Sequence, residues 1–118
     1  MTRRRAGPFK MSDSIDKRAP YRNRQILAFP KKHGCPCMRC SIQDVTVEAC
    51  HYQGPRSLIL GKGMGQKPDD DCVAFLCRDC HRIMDAYLNG EDKWERSEEF
   101  LCMVVRSMNL LHRVGFRF

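Results

Sequence analysis

The chain contains no long hydrophobic run. No unbroken apolar stretch exceeds six residues, the length of residues 100–105, whereas a membrane-spanning helix needs about 20. No apolar segment follows the opening Met-Thr-Arg-Arg-Arg, so no secretory signal is recognisable. The glycine-rich segment 61–65 lacks the Gly-x-x-x-x-Gly-Lys-Ser/Thr spacing of a nucleotide-binding loop. We therefore expect a cytoplasmic protein that is not inserted in a membrane.

Cysteine, in contrast, is abundant, with eight in 118 residues. A domain of this size has a marginal apolar core, and a cross-link or a bound metal often stabilises it. Disulfides require an oxidising compartment, which the missing signal argues against. Paired Cys-x-x-Cys motifs are typical of zinc sites, and two such pairs followed by a histidine also disfavour a redox centre. We expect a metal site.

Positive charge is concentrated in residues 1–33, which hold ten Lys or Arg against two Asp and carry +8, while the other 85 residues carry −1. Such a segment suits contact with a phosphate backbone, although a solvated leader has the same composition. We predict a flexible basic arm over 1–19 and a single domain over 20–118. The candidate nucleic-acid contacts are Arg3, Arg4, Arg5, Lys31, Lys32, Arg56, Lys62 and Lys67.

The pattern of apolar and turn residues predicts a small α+β domain. Helical spacing over 21–29 should end at Pro30, and β-branched residues over 42–53 favour a strand. After a loop over 54–71, the run 72–76 predicts a returning strand, followed by a helix over 81–88. Ser97 can cap a last helix that ends near Gly115. The apolar face of that helix, which is either core or a dimer surface, comprises Leu101, Val104, Val105, Met108 and Leu111.

Two Cys-x-x-Cys pairs, Cys37 with Cys40 and Cys77 with Cys80, have 36 residues between them. Together they supply four thiolates for a tetrahedral structural zinc ion. Such a site has no open position for a substrate, so any catalysis must lie elsewhere. Cys35 adds a third thiol to the first pair and is a spare or an alternative ligand.

His81 directly follows the second cysteine pair, and Asp85 lies four residues further on. On a helix these positions share one face. The imidazole and the carboxylate could therefore hold a second divalent cation with open positions for water and a phosphate oxygen. The alternative is an ordinary surface pair. A structural zinc site beside a more open metal pair indicates a metal-dependent nuclease.

The pattern formed by the four cysteines with His51, Asp70, His81 and Asp85 resembles the HNH, or ββα-metal, endonucleases in their zinc-containing form. The segment Gly-Met-Gly-Gln-Lys-Pro-Asp-Asp over 63–70 is similar to small HNH-like nucleases of prophages that are linked to recombination. The resemblance covers about residues 20–90. It implies a zinc-stabilised treble-clef or ββα-metal domain with flanking N- and C-terminal helices, in the cytoplasm of a bacterial host. The implied partners are duplex or branched DNA and recombination proteins, with the chain acting as a monomer or homodimer.

The resemblance also implies roles for individual residues. His51 takes the position of the general base, and His81 and Asp85 take those of ligands to a catalytic metal, which would be Mg²⁺, Mn²⁺, Ni²⁺ or Zn²⁺. Asp70 stands near the family's middle Asn, so it is an orienting residue, a metal ligand or part of an acidic loop. Cys50 occupies the place of a metal-binding Asp or His and is either a ligand for a soft metal or a buried thiol. If Cys50 does not bind the metal, His51 could itself be a metal ligand instead of the base.

A zinc module without catalytic activity is the contrasting hypothesis. Such a module would bind nucleic acid or bridge recombination proteins, and it would need the cysteines and the basic arm but no catalytic centre. The two hypotheses differ in whether His51, Asp70, His81 and Asp85 come together in space.

Overall fold

The computed structural model describes residues 20–56, 60, 67–88 and 92–118. The described chain contains helix α1 (Arg24–His33), strands β1 (Glu48–His51) and β2 (Val73–Leu76), and helices α2 (Arg78–Leu88) and α3 (Lys93–Arg113). This architecture confirms the predicted α+β class. The predicted basic arm, 1–19, lies outside the described residues. No helix in the described ranges is long and apolar enough to cross a membrane.

The two strands form an antiparallel hairpin at the centre of the domain. Glu48 pairs with Leu76 at one end, and His51 pairs with Val73 at the other. Because successive side chains on a strand point to opposite faces, Glu48 and Cys50 share one face of β1 and His51 belongs to the other. Helix α1 packs on β1, while α2 and α3 pack on β2 and on each other.

The core is built on β2, whose four residues are all buried. The ring of Phe75 stacks on Phe29 of α1 with centroids 5.9 Å apart. Helix α3 is attached to the same strand by a buried hydroxyl, since Ser107 Oγ accepts a hydrogen bond from Phe75 N at 3.0 Å and donates one to Met103 O at 2.8 Å. The fold therefore connects α1 and α3 through one central residue, Phe75.

Helix α1 does not end at Pro30, so that prediction is wrong. Asn23 Oδ1 caps the helix by accepting a hydrogen bond from Gln25 N at 3.0 Å, and Pro30 lies inside it. The fixed φ of proline is itself helical, and only one further turn follows. Gly34, with φ of 76°, ends that turn and donates its N–H to Pro30 O at 2.9 Å.

The predicted strand over 42–53 is confirmed only for Glu48–His51. Before it, Asp44 Oδ1 accepts hydrogen bonds from Thr46 N at 2.8 Å and Thr46 Oγ1 at 2.6 Å. Such local side-chain bonds compete with strand pairing. Val45, which suggested the alternation, is 86% exposed. The returning strand is confirmed over Val73–Leu76.

Both remaining helices begin earlier than predicted, α2 at Arg78 and α3 at Lys93. Ser97 is therefore not a cap: it is buried, and its hydroxyl hydrogen-bonds the Tyr52 hydroxyl inside the core. Of the predicted apolar face of α3, Val105 does not belong to the core, because it is 58% exposed. The buried residues of α3 are Ser97, Phe100, Met103, Val104, Ser107 and Leu111.

Replacing the hydroxyl that connects α3 to β2 should destabilise the domain. Ser107→Ala leaves the buried N–H of Phe75 without its acceptor, which should cost about 1–3 kcal/mol in the free energy of unfolding. Asn109→Ala, at an exposed position of the same helix, is the matched control and should change it by less than about 0.5 kcal/mol. Urea denaturation measures both, and equal effects would contradict the assignment.

Candidate metal centres and a histidine–aspartate pair

The sulfur atoms of Cys37, Cys40, Cys77 and Cys80 lie within 4.8 Å of one another. The Sγ atoms of Cys40 and Cys77 are 3.7 Å apart. Four sulfurs bound to one zinc ion at ~2.3 Å in a tetrahedron would be about 3.8 Å apart, whereas a disulfide needs about 2.05 Å. The eight cysteines, all within the described ranges, are free thiols. The four predicted ligands could therefore hold one structural metal ion.

The backbone around Cys37 favours its thiolate form. Burial opposes that charge, but hydrogen bonds from the backbone at Cys40, Cys77 and Arg39 lower the pKa of Cys37 to about 7. Of these, Arg39 N donates to Cys37 Sγ at 3.4 Å. At Cys80, burial is the largest effect and, with the neighbouring thiols, raises the pKa to about 12. Arg39 Nη1 lies 3.7 Å from Cys80 Sγ and would stabilise the thiolate that metal binding requires.

Cys35 is buried but does not belong to this group of four. Burial, followed by the charge of Cys37, raises the pKa of Cys35 to about 11. The two cysteines of this segment whose sulfurs group with the second pair are Cys37 and Cys40.

His81 lies between two carboxylates. Its Nε2 is 3.3 Å from Asp85 Oδ2, the predicted partner, and its Nδ1 is 3.2 Å from Glu48 Oε2. The ligand atoms of Glu48, Cys50 and His81 lie within 4.8 Å of one another and could hold a second ion. Because the two carboxylates face different nitrogens, a metal on Nδ1 would have Glu48 as a ligand and Asp85 as the carboxylate that orients the ring.

Glu48 was not predicted from sequence as a metal ligand, whereas Cys50 was a candidate. Once β1 is recognised as a strand, the period of two places Glu48 on the same face as Cys50. That periodicity is the signal from which Glu48 could have been found.

Cys50 is buried, and its Sγ lies 3.5 Å from Glu48 O as a hydrogen-bond donor. Burial, and then the charges of Glu48 and Asp85, raise the pKa of the Cys50 thiol far above its ordinary value. The thiol is therefore protonated without a metal, and a bound ion would have to displace its proton. Both interpretations of Cys50, as buried thiol and as soft-metal ligand, fit this position.

His51 is paired with Asp70. Its Nε2 lies 2.8 Å from Asp70 Oδ1, and the two side chains are only 10% and 4% exposed. The other carboxylate oxygen, Oδ2, accepts a hydrogen bond from Asn23 N at 2.7 Å, and Arg22 Nη1 is 3.6 Å from Oδ1. Asp69 instead accepts a hydrogen bond from Tyr21 N at 2.9 Å. Of the three roles predicted for Asp70, this geometry matches that of a residue that orients the imidazole of His51.

The four predicted residues thus form two pairs, His51 with Asp70 and His81 with Asp85. The two pairs come near each other along β1. His51 directly follows Cys50, whose sulfur lies within 4.8 Å of the ligand atom of His81, and adjacent Cα atoms are about 3.8 Å apart. Strand alternation places the two pairs on opposite faces of the hairpin. A group that contacts both pairs must therefore approach the end of β1 rather than either face alone.

Four of the eight predicted nucleic-acid contacts lie within the described residues. Lys31 Nζ donates a hydrogen bond to Val45 O at 2.6 Å, and the guanidinium of Arg56 lies 5.0 Å from the ring centroid of Trp94. Lys32 and Lys67 are exposed. The remaining four, Arg3, Arg4, Arg5 and Lys62, lie outside the described residues.

No family model, curated protein or solved structure matches this chain. The resemblance to the HNH endonucleases therefore stays a prediction that depends on the motif residues. The site must be interpreted from its own geometry.

The two neighbouring thiols Cys35 and Cys37 provide a matched test of the four-cysteine cluster. Cys37→Ser should abolish binding of one equivalent of zinc and leave the domain unfolded, because metal binding and folding are coupled in such sites. Cys35→Ser should retain the metal. Metal content by mass spectrometry and helicity by circular dichroism measure the two outcomes. Zinc retained in Cys37→Ser and lost in Cys35→Ser would reverse the ligand assignment.

Proposed function

We propose that the protein is a metal-dependent DNA endonuclease that hydrolyses phosphodiester bonds of duplex or branched DNA. The observation that carries the proposal is the buried His51–Asp70 hydrogen bond of 2.8 Å, one residue along β1 from a group of side chains that could hold a metal ion. In this proposal, the hairpin and α2 correspond to the ββα-metal unit, and the four cysteines hold a structural zinc ion in a treble-clef arrangement.

His51 would act as the general base. When its Nε2–H donates to Asp70, the lone pair resides on Nδ1, which can accept a proton from an attacking water. The carboxylate holds the ring in this tautomer and stabilises the imidazolium that forms, as in histidine–aspartate pairs of hydrolases generally. Asn23 and Arg22 hold Asp70 in turn, so the base is oriented by groups on the segment that opens α1.

Glu48 and His81 would hold the catalytic ion, with Asp85 orienting the imidazole. When bound, a divalent ion there polarises a phosphoryl oxygen and stabilises the charge of the transition state, a contribution of several kcal/mol. The imidazole and the nearby thiol of Cys50 favour borderline metals such as Zn²⁺ or Ni²⁺ over Mg²⁺ or Mn²⁺.

The four-cysteine cluster positions this site. Cys80 immediately precedes His81, and His81 N donates to Cys77 O at 2.9 Å, so the cysteines determine where the first turn of α2 lies. The antiparallel pairing with β2 fixes Glu48 and His51. A closed metal site and a strand pairing thus hold the two halves of the proposed centre.

A zinc module without activity remains the second candidate. The observation that favours it is the placement of the two pairs on opposite faces of the hairpin, since a catalytic base and a metal must act on the same phosphate. Such a module would still use the cysteines and the basic residues to bind nucleic acid or to bridge recombination proteins.

Nicking of supercoiled plasmid tests the base. His51→Ala and Asp70→Asn should each lower the nicking rate roughly 100- to 10,000-fold, the usual contribution of general-base catalysis. His112→Ala, an exposed histidine on α3, is the matched control and should nick at the wild-type rate. Thermal melting confirms folding of each variant. Undiminished nicking by folded His51→Ala would refute this role, and wild-type inactivity with all four metals would favour the binding module.

The dependence of nicking on metal concentration tests which of the two carboxylates beside His81 is the metal ligand. Asp85→Asn should weaken metal affinity by the roughly 10- to 100-fold typical of an orienting carboxylate. Glu48→Gln should weaken it more, because a ligand is lost. Nicking measured against Zn²⁺ or Ni²⁺ concentration gives both affinities. The reverse order would assign Asp85 as the ligand and Glu48 as the orienting group.

A further inference from the structure

A groove of about 340 Å³ runs along α1 beside Phe116, in the segment that follows α3. Its floor is aromatic: the Phe29 ring centroid lies 5.0 Å from that of His33 and 6.3 Å from that of Phe116. His33 is exposed and Phe116 is partly exposed. Phe29 itself is buried and stacks on Phe75, so the rings of His33 and Phe116 are the surfaces on which a base of any identity could stack.

The rim of the groove is cationic. Arg24 and Lys32 are exposed and line it together with Ala28. Positions 24, 28 and 32 follow one face of α1 at a spacing of four residues, so the small side chain of Ala28 lies between the charges of Arg24 and Lys32. The described residues that line the groove carry no acidic side chain. An aromatic floor between two cations is complementary to a nucleotide, which combines an apolar base with an anionic phosphate.

Helix α1, which forms one side of the groove, is connected to the proposed general base through its cap. Asn23, which precedes Arg24, donates its backbone N–H to Asp70 Oδ2 at 2.7 Å, and Asp70 Oδ1 in turn binds His51. His51 and Asp70 are themselves largely buried and do not line the groove.

We infer that this groove binds an unpaired segment of DNA, with a base stacked on the aromatic floor and flanking phosphates on Arg24 and Lys32. The inference rests on the proposed nuclease function for its choice of DNA. It specifies the substrate class as DNA with a single-stranded portion. Neither Arg24 nor the aromatic residues were among the contacts predicted from sequence.

Binding of a fluorescent single-stranded oligothymidylate to zinc-loaded His51→Ala protein tests the groove without cleavage. The double variant Arg24→Ala/Lys32→Ala should lower the slope of log affinity against log salt by roughly 1.4, about 0.7 for each lost phosphate contact. Phe116→Leu keeps an apolar side chain but removes a ring and should weaken binding roughly 5- to 150-fold. Affinity for a blunt duplex of the same length should fall less in both variants.

The matched control is Arg82→Ala/Lys93→Ala, which removes two exposed cations from α2 and α3 and should leave the slope near that of the parent protein. Equal losses in the groove and control variants, or equal losses for single strand and duplex, would overturn the inference, as would a normal affinity of either groove variant. The binding assay contains no cleavage step. If the groove proposal fails in it, the nuclease proposal is still tested independently by plasmid nicking.

Discussion

The four thiol groups of Cys37, Cys40, Cys77 and Cys80 connect two segments that lie 36 residues apart in the chain. A hairpin of two four-residue strands is marginal by itself, and a metal ion held by this cluster would close the loop that contains both strands. Two arginines attach the same cluster to α3: Arg106 Nη1 donates to Met38 O at 2.8 Å, and Arg39 Nε lies 3.4 Å from Glu99 Oε2. The direction of α2, and with it the position of His81, depends on this connection.

Asp70 has two structural connections that explain its burial. One oxygen receives the hydrogen bond of His51, and the other receives the backbone N–H of Asn23, the cap of α1. A carboxylate this buried requires such partners, because desolvation without them is costly. The orientation of the proposed base is therefore coupled to the packing of α1. The proposed DNA groove uses the exposed side of that same helix.

Several features of the molecule follow local rules that can be read from sequence. The strand predicted over 72–76 and the four-cysteine group could be read from sequence because an apolar run and a Cys-x-x-Cys spacing are local patterns. One wrong prediction depends on a distant partner: the hydroxyl of Ser97 does not cap a helix but bonds the Tyr52 hydroxyl inside the core. Another depends on a local bond that competes with strand pairing, since the Asp44 side chain accepts a hydrogen bond from Thr46 N beside Val45.

The sequence by itself determined the α+β class, the two cysteine pairs and the helical spacing of His81 and Asp85, because each depends on residues close together in the chain. Only the tertiary structure decided that Asp70, rather than Asp69, binds His51 across 19 positions, and that Glu48 reaches His81 across 33. These contacts depend on the register of β1 against β2. A shift of one residue would exchange the two faces, so the side chains around each histidine follow from strand pairing rather than from any motif.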